Sequence, residues 1–243
     1  MNVQLVSVTR SEIQCYMRED EFPSPGELPN HLSPEQLITY TARVSNPGNQ
    51  HNHETADKLI AYLIKNKHWS PFEMVSMCVE IKTSRAIAQQ ILRHRSFSFQ
   101  EFSQRYAEVV DMEPVQLRKQ AEKNRQSSTE AFDPVLPATA RQQGDEGLKA
   151  SVAVRNAIKH CEIIYQELIK AGVAKECARM VLPLTTQTTI YMTGTVRSWI
   201  HYLQQRIDPH TQLEHQQVAQ AVLSIFVQKF PNIAVAVWPN GFQ

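Results

Sequence analysis

HWSPFEMVSMCVEIKTSRAIAQQILRHRSFSFQEFSQRY, residues 68–106, passes through three periodicities in turn. Ser70 and Pro71 make HWSPFE (68–73) a tight connection. Val75, Met77, Val79 and Ile81 then alternate with Ser76, Cys78, Glu80 and Lys82. A period of two with β-branched residues on one side is a strand with one face buried. Ser84 can cap a helix whose apolar positions are Ile87, Ala88, Ile91 and Leu92. From Phe97 to Phe102 aromatic and polar residues alternate with no helical period.

Working outward, VQLVSV (3–8) reads as an opening strand, and the proline-rich stretch 18–31 as a loop. Ser33, Pro34 and Gln36 form a capping-box signature for a helix to about Val44, broken by SNPGN at 45–49. A second helix covers about Glu54 to Lys67, with Leu59, Ile60, Leu63 and Ile64 inward. Residues 111–147, rich in Pro, Gly, Gln and Lys, form an excursion that reads as partly helical near 115–125. A long helix from about Leu148 to Ala171 follows, with Val152, Ile158, Cys161, Tyr165 and Leu168 on one face and Gly172 as its stop. A short helical piece ends before Pro183, and Thr185–Tyr191 is β-branched and strand-like. Thr195 can cap a helix with Val196, Trp199, Ile200 and Leu203 inward. A last long helix spans about Thr211 to Phe230, and IAVAVW (233–238) reads as a further strand.

Helices outnumber strands and do not alternate with them regularly. The expected class is therefore α+β, with helices packed on a mixed or antiparallel sheet, in a single domain over 1–243. The chain of 243 residues has no run of about 18 apolar residues and no apolar leader, so neither a membrane span nor a secretory signal is expected. Lysine plus arginine (25) nearly balance aspartate plus glutamate (24), which leaves no global field for a nucleic-acid polymer. Cys15, Cys78, Cys161 and Cys177 form no C-x-x-C pair and read as buried, reduced thiols of a cytoplasmic protein. His51 and His53, or His210 and His215, lack the spacing of a metal pair, so no metal is expected. No glycine-rich dinucleotide fingerprint occurs either.

RHRSFSFQEFSQRY (93–106) holds three arginines, three serines and a lone Glu101 within fourteen positions. The arginine fork matches phosphate or carboxylate, so the stretch suits a polyanion pocket. It also suits a solvated basic helix end, or a surface where phenylalanines stack on RNA bases. Gln90 and Arg93, three apart, can address one ligand from one helix face. Arg197 and His201, four apart, lie opposite the apolar stripe and face outward together.

The stretch also resembles the signature of the flavin-dependent thymidylate synthases: R-H-R, two residues, S, two residues, E, one residue, S, one residue, R-Y. Arg93, His94, Arg95, Ser98, Glu101, Ser103, Arg105 and Tyr106 match it, while Gln100 stands where the family usually has Asn. HWSPFE is similar to the family's H-x-[ST]-PFEH segment, with Met74 in place of the second His. ARMVLP (178–183) and TVRSWIHYLQQR (195–206) are similar to its third and fourth blocks.

The resemblance implies reductive methylation of dUMP to dTMP, with the methylene from 5,10-methylenetetrahydrofolate and reducing equivalents passing from NADPH through FAD. It implies a homotetramer with active sites shared between subunits. It assigns FAD contacts to Ser70, Arg93, His94, Arg95, Glu101, Thr195, Val196, Arg197 and His201. It assigns the dUMP site to Gln90, Ile91, Leu92, Arg93, Glu101, Phe102, Ser103, Gln104, Arg105, Arg179 and Arg206. Arg206 is then the catalytic group, a fixed cation beside the uracil ring ionised at its imide nitrogen. Ser103 reads as a phosphate donor, since a nucleophilic serine needs an adjacent base.

Overall fold

The computed structural model describes residues 1–13, 31–108, 111–137 and 147–241. The expected loop at 18–31, apart from His31, and Cys15 lie outside the described residues.

Four strands form an antiparallel sheet in the order β1 (Asn2–Val8), β2 (Ser76–Ser84), β8 (Gln187–Thr195), β3 (Ser98–Glu101). The alternation in β2 does what its period predicts. Val75, Met77, Val79 and Ile81 are all buried on one face, joined by Ile190 and Met192 of β8. Each such side chain contributes about 1.5–3 kcal/mol by leaving water. The other face is polar: Glu80 accepts hydrogen bonds from Gln4 (3.1 Å) and from the Tyr191 hydroxyl (2.7 Å). In β1 the register shifts between Leu5 and Ser7, which leaves Val6 exposed and returns Val8 to the core side.

Helices cover the apolar face. They are α1 (Pro34–Ala42), α2 (Ala56–Lys65), α3 (Arg85–Ile91), α6 (Val196–Arg206), α7 (Leu213–Lys229) and α8 (Pro231–Val237). The expected capping box starts α1: Ser33 Oγ accepts from the Gln36 N–H at 3.2 Å, and Ser33 N–H donates to Gln36 Oε1 at 2.8 Å. Ser84 occupies the cap position of α3 without a capping bond from its side chain. The free N–H groups of Arg85 and Ala86 instead donate to the carbonyls of Thr186 and Leu184.

Two expected elements are different in kind. IAVAVW belongs to helix α8, not to a strand. Pro231 presets its first turn, and Glu35 of α1 accepts from the Ile233 N–H (2.9 Å) and the Asn232 side chain (3.0 Å). Ile233 and Ala234 are buried while Val235 is 70% exposed, a helical spacing that strand alternation would forbid. The excursion is not helical near 115–125: β4 (Arg118–Gln120) and β5 (Ser128–Ala131) form a hairpin. Gln and Lys there favour helix residue by residue, but no apolar stripe supports one. The Gln120 carboxamide instead donates to the carbonyls of the turn, including Ser127 at 2.9 Å. The short pair β6 (Val135–Leu136) and β7 (Leu148–Lys149) leads into α4 (Ala150–Lys170), which ends at Gly172 with φ of +83°. The four-residue α5 (Lys175–Ala178) and a 3-10 turn (Arg179–Val181) precede β8.

The cysteines depart from the expectation of burial. Cys78 and Cys161 are half-buried and Cys177 is exposed. Cys78 falls on the polar side of β2, and Cys161 on a face of α4 that no other described element fully covers. Among the described residues no helix is long and apolar enough to cross a membrane.

Candidate active site

The turn after α3 sorts its residues by face. The Phe97 N–H donates to the His94 carbonyl at 3.2 Å, and this tight bend turns His94 and Phe97 inward while Arg93, Arg95 and Ser96 stay exposed. Phe97 packs edge-on against Trp199, ring centroids 4.7 Å apart, over Gly194. A Cβ on Gly194 would stand 2.5 Å from that ring, so only glycine admits it.

The Thr195 hydroxyl caps α6 by accepting from the Ser198 N–H at 3.3 Å. Arg197 and His201 face outward together, as their spacing predicts. They line a cleft of about 430 Å³ with Trp69, Glu73, Ser96, Ser198, Ile200 and Gln204. Arg197 is ion-paired with Glu73, and Ser198 donates to the Ser96 carbonyl at 3.1 Å. Ser70 is exposed beside this cleft's wall, at the start of the 3-10 turn Ser70–Glu73. Two expected ligand contacts turn inward instead. Val196 is in the core with its N–H bonded to the Val75 carbonyl, and the Ile91 side chain is fully buried. Their helical phase explains both, since each sits on the apolar stripe of its helix. Leu92 is half-buried next to Ile91.

Arg206 closes α6 and donates through Nε to His94 Nε2 at 2.9 Å. An acceptor at Nε2 makes His94 a neutral imidazole protonated at Nδ1. Burial, then the Arg206 and His201 charges, lower its pKa to about 4. Beyond this anchor Arg206 opens on a shallow cleft of about 460 Å³ with Gln204, Gln205, Asp208, His210 and Thr211. Behind His94 lies Tyr202, whose buried hydroxyl is 3.1 Å from His215 Nε2. His215 is fully buried, and burial followed by Arg206 and His94 lowers its pKa to about 3.

These two histidines predict an acid-sensitive fold. Below about pH 6.5 the unfolded chain takes up protons that the native state refuses until about pH 4 at His94 and about pH 3 at His215. Stability is therefore fully present above pH 6.5 and falls on acidification, by about 1.4 kcal/mol per pH unit for each histidine. Urea denaturation between pH 7 and pH 4.5 checks this, and His215→Phe should flatten the slope.

The other expected substrate residues gather elsewhere. Glu101 accepts from the Thr188 hydroxyl at 3.0 Å and lies 3.9 Å from Arg85. Phe102 joins Lys82, Glu108, Asp111, Gln187, Thr188 and Thr189 around a cleft of about 240 Å³. Ser103 is exposed, Gln104 is buried, and Arg105 pairs with Glu176 at 3.5 Å. Arg179 is half-buried with its Nε unpartnered. Along the chain, strand β3 (Ser98–Glu101) stands between the turn that carries His94, the partner of Arg206, and the stretch that carries Arg105.

Trp69, Glu73, Ser96, Ser198, Gln204 and Arg85 were not singled out by sequence reasoning. Glu73 carried the clearest signal, as the lone acid of HWSPFE facing an expected arginine.

The sheet with its helical cover and clefts lined by arginine, hydroxyl and carboxamide groups defines an α+β enzyme framework. A family model described as thymidylate synthase complementing protein matches residues 27–232. A flavin-dependent thymidylate synthase of Synechocystis is 45% identical over 98% of this chain and 99% of its own. A probable flavin-dependent thymidylate synthase of Paramecium bursaria Chlorella virus 1 is 48% identical over 84% of this chain and 90% of its own. The crystal structure of a UMP/dUMP methylase, PolB from Streptomyces cacaoi, bound with 5-Br dUMP, superposes with a TM-score of 0.72. That match covers 99% of this chain and 95% of the other at 24% identity, and so speaks to the fold. The chain belongs to the thymidylate synthase complementing protein family.

Proposed function

We propose that the chain is a cytoplasmic flavin-dependent thymidylate synthase that methylates dUMP to dTMP. 5,10-methylenetetrahydrofolate would be the carbon donor, NADPH the reductant and FAD the bound cofactor. The observation that carries the reading is Arg206, held by neutral His94 through Nε with the rest of its guanidinium beside an open cleft. A cation so fixed stabilises negative charge on a uracil ring and raises electron density at the carbon to be methylated.

The cleft of Trp69, Ser96, Arg197, Ser198 and His201 suits FAD: an aromatic face, hydroxyls and cationic donors line one concave wall. Ser70, Arg93, His94, Arg95, Glu101 and Thr195 complete the proposed flavin set. When bound, the flavin supplies the redox chemistry, and the residues named here bind and orient. Gln90, Arg93, Glu101, Phe102, Ser103, Gln104, Arg105, Arg179 and Arg206 form the proposed dUMP set, with arginines and Ser103 as donors to the phosphate. Arg105 pairs with Glu176 while Arg206 pairs with His94, and on this reading a homotetramer brings such groups of different subunits together in one site.

Purified protein loaded with FAD should be yellow, and dUMP should perturb the flavin spectrum. An anaerobic assay with dUMP, methylenetetrahydrofolate, FAD and NADPH should yield dTMP. Methylation of a different nucleotide in place of dUMP would overturn the substrate assignment.

A further inference from the structure

The hairpin β4–β5 reaches the start of α7 and then α3 through a series of side-chain hydrogen bonds. Arg118 Nη2 lies 2.7 and 3.0 Å from the two oxygens of Glu214, and its Nε donates to Ser128 Oγ at 2.9 Å. Gln212 Nε2 donates to the same carboxylate at 3.0 Å. Gln90 Nε2 donates to Gln212 Oε1 at 2.6 Å. His215 Nδ1 lies 3.3 Å from Gln90 Oε1, and its Nε2 lies 3.1 Å from the Tyr202 hydroxyl.

The polarity of this series follows from chemistry. An ionised carboxylate only accepts, so Glu214 must face the amide nitrogen of Gln212. That turns the Gln212 oxygen toward Gln90 and compels Gln90 to offer its nitrogen. The Gln90 oxygen then faces His215, whose Nδ1 must carry the proton, leaving Nε2 to accept from Tyr202. Every amide orientation and the tautomer of a buried histidine therefore trace back to one charge. Burial works to raise the Glu214 pKa, while the Arg118 bond, its own backbone and Gln212 together bring it below the ordinary value. Without Arg118 that burial is opposed by less, and a protonated carboxyl can donate, which would invert the series.

We propose that Arg118, carried by the hairpin of the 111–147 excursion, is a positioning residue for the nucleotide site: through Glu214 and Gln212 it fixes which end of the Gln90 carboxamide meets the ligand. The proposal rests on the reading that Gln90 touches dUMP. It gives the excursion a role in substrate recognition without any contact of its own, and it makes a segment outside the four matched blocks a determinant of their geometry.

The test is a double-mutant cycle on the full-length holoenzyme, with dUMP affinity measured by calorimetry and His215 followed by nitrogen-15 NMR. Arg118→Ala should weaken dUMP binding about fivefold, and should weaken it no further in a Gln90→Ala background. It should also remove the Nδ1–H signature of His215, while Arg118→Lys should restore affinity to within about twofold. If Arg118→Ala does not fold, Glu214→Gln serves, since its amide can donate where the carboxylate could only accept. Equal weakening in both backgrounds would reduce the hairpin to a clasp and overturn the proposal, as would unchanged affinity in Arg118→Ala. Unchanged dUMP affinity in Gln90→Ala alone would instead defeat the placement of Gln90 in the site.

Discussion

Arg206→Ala should lower kcat by about 100- to 1000-fold while weakening dUMP binding far less, as loss of one transition-state donor costs about 2.7–4 kcal/mol. Two reasons support the split, one from the structure and one from the proposed substrate set. Arg206 is not a freely mobile cation, because its Nε is tied to His94 at 2.9 Å. In the proposed dUMP set, Arg105, Arg179 and Ser103 remain as donors to the phosphate. Arg206→Lys should recover little: an ammonium cannot bond His94 and present a second planar donor pair in the same geometry. His94→Phe keeps the ring and removes the acceptor, so it should lower kcat by a smaller factor. Steady-state kinetics beside dUMP titration checks all three, and a pure loss of affinity with unchanged kcat in Arg206→Ala would contradict the assigned role.

Trp199→Ala should destabilise the protein by about 3–5 kcal/mol, read as a fall in the urea midpoint and a loss of roughly 10 °C or more in Tm. The ring is fully buried, it supports Phe97 at 4.7 Å and Tyr202 at 5.8 Å, and its Nε1 donates to the Met77 carbonyl at 2.9 Å. Truncation removes both the aromatic bulk and that donor. Trp199→Phe should cost less, because it forfeits the hydrogen bond and part of the volume only. Flavin retention should fall with Trp199→Ala as well, since Phe97 sets the turn that carries Ser96 to the cleft.

Where one physical signal dominated, the sequence was readable. Strand β2 declared its inner face by strict alternation, Ser33 and Gln36 marked the start of α1, and Thr195 marked that of α6. Two errors came from local preference overruled by long-range contact. The β-branched run at 233–238 is a helix because Pro231 and the remote Glu35 supply its start. The lysine- and glutamine-rich excursion is a hairpin held by a turn and by Glu214 across the molecule. For the site, motif residues were legible as a set, yet their grouping was not. Nothing in the order of Arg93, Glu101, Arg105 and Arg206 says that Arg206 meets His94 while Arg105 meets Glu176. Val196 and Ile91 matched a motif by position while their helical phase sent them inward. The role of His215 is invisible in its local sequence, where His210 is the neighbouring histidine, because its partners Tyr202 and Gln90 are distant along the chain.

The carboxylate of Glu35 that starts α8 has a consequence for biosynthesis. Glu35 precedes Ile233 by 198 residues, so during synthesis its carboxylate stays in water until the sheet and its other covering helices have been made. β1 likewise waits for β2, and β2 for β8. Closure of α8 on α1 and α2 therefore waits for residue 233, and a product terminated before Pro231 leaves the α2 flank bare, a ready substrate for quality-control proteolysis.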